Sequence, residues 1–102
     1  MQIIAKLVEM MQDEIEGAEN YALCAIKYKS EYPKLAQRLN ELAGVELQHL
    51  KILHGEVERL IEDYRSKDGE PPADMLAVYN FEHEKMIKEA AKVKTYISEF
   101  DA

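Results

Sequence analysis

Cysteine is almost missing from this 102-residue chain. A lone Cys24 allows neither an internal disulfide nor a Cys-x-x-Cys metal site, and a reducing, cytoplasmic setting is the expectation. Helix breakers are few: four glycines and three prolines leave little material for tight turns. There is no long apolar run at the N-terminus, where Lys6 and Glu9 interrupt an amphipathic stretch ending at Met11, unlike a signal peptide or a membrane span. Basic residues are outnumbered, 13 Lys plus Arg against 20 Asp plus Glu, for a net charge of −7. Such a surface repels phosphate backbones, so neither nucleic acid nor membrane is an expected partner, whereas cations suit it.

What is present is helical material. The length holds one domain with a single core and is too short for two, and the 47% apolar and 32% charged content fits a soluble helix-rich protein. A first helix is predicted over about 3–30, with Ile4, Leu7, Val8, Met11, Ile15, Ala18, Ala22, Ala25 and Ile26 on one side. Pro33 ends that segment and can open the next at its first position, where the missing N–H is no loss. The short link predicts an antiparallel hairpin with a second helix over about 33–65. Ser66 to Pro72 contains one glycine and two prolines and is the clearest break in the chain. A third helix over about 72–99 carries Met75, Tyr79, Met86, Ala90, Val93, Ile97 and Phe100 on its apolar side, with Glu82 among them. No β pattern is visible, so the fold class is all-α.

The second helix holds an anomaly. Leu35, Leu39, Leu42, Ala43, Leu50, Leu53, Val57, Leu60 and Ile61 form an apolar stripe at 100° per residue. Glu46 falls near its centre, and His49 lies on its edge one turn along. A carboxylate on an apolar face is unfavourable unless it is paired, protonated or bound to a cation. As a string, Glu-x-x-His is weak: 15 glutamates and three histidines give roughly 0.4 chance matches, so the surroundings carry the inference. On a helix, i and i+3 point the same way, and Glu46 and His49 can offer oxygen and nitrogen to one ion. On the first helix, Glu14 and Glu19 lie at the edges of the stripe and Glu16 is turned away; any one would complete a Glu plus Glu-x-x-His set. Gly17, Gly44 and Gly55 fall opposite the main stripes, as solvated surface or as places where a second chain approaches. Histidines His54 and His83 read as packing residues.

Dimetal sites in helix bundles use two single glutamates and two Glu-x-x-His motifs on four helices. Helices 1 and 2 supply half of that set, and a second copy on a two-fold axis supplies the rest, with bridging carboxylates holding ions ~3.5–4 Å apart. The run Glu14-Ile-Glu-Gly-Ala-Glu-Asn-Tyr21, followed some thirty residues later by Glu46-x-x-His49, resembles the first half of the ferritin-like superfamily. Rubrerythrins are similar in the Glu-x6-Tyr element, which maps a ligand onto Glu14 and the neighbouring tyrosine onto Tyr21. Phe81-Glu82-His83 resembles their carboxylate-bearing third helix, and there Glu82 matches a ligand. The short chain with one Glu and one Glu-x-x-His also looks like the encapsulated ferritins, whose half-ferritin chains pair around a di-iron ferroxidase site.

The resemblance spans roughly Lys6 to Tyr64 well and the third helix loosely. The chain departs from rubrerythrins in lacking a fourth helix, a second Glu-x-x-His and a rubredoxin-type Cys-x-x-Cys domain. The resemblance implies a four-helix-bundle core completed by dimerisation and a pair of iron ions, or manganese or another divalent metal, shared between chains. The ligands it implies are Glu14, Glu46, His49 and Glu82, and the activity is oxidation of Fe(II) by oxygen or peroxide. The rival from a different class is a non-catalytic, acidic helical module for interaction or oligomerisation.

Overall fold

Three helices and two four-residue connections account for the chain in the computed structural model, which describes residues 2–102. They are α1 (Gln2–Tyr28), α2 (Pro33–Asp68) and α3 (Ala73–Asp101), and no strand occurs among the described residues. Pro33 takes the first position of α2, as expected of a residue with no N–H to satisfy there. At the other end α2 runs three residues beyond the predicted Arg65, and Gly69 closes it. With φ of 84°, a conformation that disfavours any side chain, Gly69 donates its N–H to the Arg65 carbonyl at 3.2 Å. Pro71 and Pro72 then hold the chain extended, and α3 starts with Asp74 in its first turn, where the helix dipole favours a negative charge.

The buried residues repeat every seven. Ile4, Met11, Ala18 and Ala25 do so on α1; Ala36, Ala43, Leu50 and Val57 on α2; Tyr79, Met86, Val93 and Phe100 on α3. This is the spacing of helices crossing at a shallow left-handed angle, about 20°. Alanines dominate where α1 meets α2, so the two backbones come close, and α1 and α2 form the antiparallel hairpin. The third helix, α3, lies more along α1 than along α2. Its contact with α2 runs through a stack of rings: His54 and His83 are 4.1 Å apart between centroids, and the hydroxyl of the buried Tyr79 is hydrogen-bonded with His54 Nδ1 at 3.0 Å. Burial, followed by the Glu58 charge and hydrogen bond, pushes the Tyr79 phenol up to about 12; burial and then His54 push His83 down. At the far end, Asn40 of α2 donates to Asp101 Oδ1 (3.2 Å) and Lys29 of the hairpin loop to the Phe100 carbonyl, fastening the end of α3 to the hairpin.

The burial pattern corrects the stripe assigned to the second helix. Leu35 and Leu42 are exposed, while the Ala36–Ala43–Leu50–Val57 line faces the core. A stripe wider than one helix can cover has two sides: α1 and α3 cover one, and Leu35, Leu42, Val45 and Ile52 are left on the other. Ile26 on α1 is likewise exposed. The core assignment makes a direct prediction. Ile15, 1% exposed, should lose about 2–5 kcal/mol of stability on replacement by alanine, read as a lowered urea midpoint. Val78→Ala, at a residue 64% exposed, should stay within about 0.5 kcal/mol of the parent.

Candidate metal centre

Glu14 on α1 meets Glu46 and His49 on α2. His49 Nδ1 lies 3.2 Å from Glu14 Oε2 and 3.8 Å from Glu46 Oε1. One donor atom from each residue falls within 4.8 Å of the others, and no other group of three such side chains does so among the described residues. The helix geometry explains the convergence: Glu46 and His49 are one turn apart on one face, and the antiparallel hairpin sets Glu14 across from them. The side chains of Glu14 and Glu46 are 25% and 21% exposed, and that of His49 is 49% exposed. Two carboxylates are therefore drawn partly out of water beside one another, with a single imidazole between them.

The electrostatic consequence falls on Glu46. Its carboxyl is held above the ordinary 4.5, first by a side-chain hydrogen bond with Glu14, then by partial burial and by the Glu14 charge; His49 opposes the shift. A proton on Glu46 neutralises the pair, and a cation can take the proton's place.

Gly17 belongs to this centre, contrary to the expectation that it lies apart on the opposite face. A Cβ at Gly17 would sit 3.3 Å from Glu46 Oε2, so glycine leaves the carboxylate room to seat against α1. The available sign was its place three residues after Glu14, in a helix interior where alanine is favoured. Alanine there adds up to about 1 kcal/mol of helix preference but forces the Glu46 carboxylate aside.

The remaining candidates lie elsewhere. Glu19 pairs with Lys92 at 3.7 Å, and Glu16 is exposed. Glu82 accepts a hydrogen bond from Gln12 Nε2 (2.8 Å), on the side of α1 that faces α3. Gln12 and Glu14 are two residues apart, about 200° around the helix, so Glu82 is not brought to the cluster. Tyr21 packs against the main core and makes no hydrogen bond to Glu14, Glu46 or His49 among the described residues.

Exposed apolar side chains surround Glu14, Glu46 and His49. Met10 lies one turn before Glu14, Leu42 one turn before Glu46, and Val45 and Ile52 one turn either side of His49; all four are exposed. Because folding raises the Glu46 pKa, its favourable contribution is complete below about pH 4.5 and is lost as pH rises through the folded value. Metal-free Glu46→Gln, which mimics the protonated form, should therefore melt above the parent at pH 7. The gap should close on acidification, as followed by circular dichroism with chelator present. Comparisons with protein-family models, with curated proteins and with solved structures returned no match, so the reading of function stands on this geometry.

Proposed function

We propose that this chain is one half of a ferritin-like dimetal-carboxylate protein, in which two copies pair across the face bearing Glu14, Glu46 and His49. The pair holds iron between them and oxidises Fe(II) with oxygen or peroxide. The observation that carries the reading is the convergence of Glu14, Glu46 and His49 on one exposed, apolar-rimmed face. A two-fold axis through that face would gather two single glutamates and two Glu-x-x-His motifs on four helices.

Charge supports the same arrangement. Four ionised carboxylates gathered in a closed interface would be strongly repulsive without a counter-charge, and two divalent cations with four carboxylates and two neutral imidazoles make a neutral set. The donors fit a divalent iron or manganese ion: carboxylate oxygens with imidazole nitrogen, and no thiolate. Bound ferrous iron supplies the electrons that oxygen or peroxide accepts.

The chain's own residues do the rest. Protons and a cation would compete for the Glu46 carboxylate, so uptake should weaken as pH falls. The carboxylates of Glu14 and Glu46 would neutralise the charge of a bound cation. Gly17 leaves the space in which the Glu46 carboxylate sits. Met10, Leu42 and Val45 would exclude water once covered by the partner.

Protein purified without chelator should carry two metal ions per dimer, and Fe(II) under anaerobic conditions or Mn(II) should raise the melting temperature. At a hundredfold excess over Kd the gain is about 2.7 kcal/mol per site. Glu46→Ala should abolish the rise and Gly17→Ala should reduce it. Leu42→Lys, which leaves the three donors in place, should give a monomer by light scattering and lose the metal response with it. A dimer that takes up no metal would instead be the acidic interaction module.

A further inference from the structure

We propose that the groove between α2 and α3 binds an amphiphilic organic anion, an aliphatic monocarboxylate of about ten carbons. This site is separate from the metal centre and does not depend on it: Leu47, Leu50 and His54 of α2 face the groove, whereas Glu46 and His49 face Glu14 of α1.

The groove has a volume of about 520 Å³, within the range of small-molecule sites, and interhelical clefts of bundles are a common place for them. It arises because α3 leans on α1 and meets α2 chiefly toward the two ends, at the Tyr79–His54–His83 rings and at Asn40–Asp101. Its floor is aliphatic, formed by Met11, Leu47, Leu50, Met86 and Ala90, with the exposed Ile87 at the rim. No flat ring surface lines it apart from the two imidazoles, so it suits a flexible alkyl chain better than an aromatic body, and methionines adapt readily to such a guest. From Gly44 to His54 along α2 the groove is about 15 Å long, which sets the chain length.

The rim supplies the charge argument. Lys51 from α2 and Lys94 from α3 line opposite walls, with His54 and His83 at one end and the neutral Gln48 beside them. No carboxylate lines the groove, although acidic residues outnumber basic ones 20 to 13 in the chain. Neither Lys51 nor Lys94 forms an ion pair among the described residues, whereas Lys6 and Lys92 do. Lys51 lies near the histidine end and Lys94 toward the Gly44 end, so an anionic head group at either end meets one ammonium group that no carboxylate neutralises, above an apolar floor.

The test uses the full chain with ¹³C-labelled methionine methyls, titrated with sodium decanoate below its micelle concentration. Met11 and Met86 line the groove, while Met10 and Met75 lie outside it, so the spectrum separates the site from general adsorption. Decanoate should shift Met11 and Met86 saturably, with decanol weaker and decyltrimethylammonium weaker still. The Lys51→Glu/Lys94→Glu variant, at two exposed positions outside the core, should lose at least tenfold in apparent affinity while melting close to the parent.

Equal response to the cationic amphiphile overturns the proposal. Shifts spread evenly over Met10 and Met75 do the same. So does a dilution-dependent shift of Met11 and Met86 without decanoate, accompanied by halving of the mass, since a second copy would then occupy the groove.

Discussion

Two carboxylates held side by side against one imidazole nitrogen set the terms for the rest of this structure. Two carboxylates this close disfavour the doubly ionised state, and His49 alone does not offset that: the hydrogen bond with Glu14, partial burial and the Glu14 charge still move the Glu46 pKa up. The hairpin must therefore be stable enough from other sources to keep Glu14 and Glu46 facing one another. It is, because Ala18, Ala22 and Ala43 let α1 and α2 approach closely and Met11, Ile15 and Val57 bury fully beside them. Gly17 then gives up helix preference so that the carboxylate has somewhere to sit.

Each side of the hairpin has a different task. One side is closed by α3, through the seven-residue repeats of Tyr79, Met86, Val93 and Phe100. The other carries the donors among exposed Met10, Leu42, Val45 and Ile52, an apolar surface that no part of the described chain covers. Exposed patches of this kind mark places where something else binds. In the proposed dimer the covering partner and the missing ligands are the same object, so one association event would remove both the exposed apolar surface and the unbalanced charge.

Much of the fold was legible because its signals are local. Pro33 at a helix start, Gly69 and the Pro71–Pro72 pair at a break, and the 3.6-residue periodicity each act through backbone geometry over a few positions. The ends shifted by only a few residues, α2 running on to Asp68 because nothing before Gly69 stops it. The three-residue spacing of Glu46 and His49 was equally local. What depended on a neighbour was not legible. Which half of the broad α2 stripe is buried follows from where α1 and α3 lie, so Leu35 and Leu42 were misplaced. Whether Glu82 approaches Glu14 depends on which side of α1 carries α3, and Gln12 rather than Glu14 faces that side. Gly17 was read from its own helix alone, yet its role exists only in relation to a side chain on another.

The account is tested most directly by a crystal structure of protein grown with ferrous iron and measured on both sides of the iron absorption edge. It predicts two anomalous peaks in the interface of a two-fold pair, each bounded by Glu14, Glu46 and His49. Peaks elsewhere, or no peaks with those three side chains facing open solvent in every copy, would contradict it.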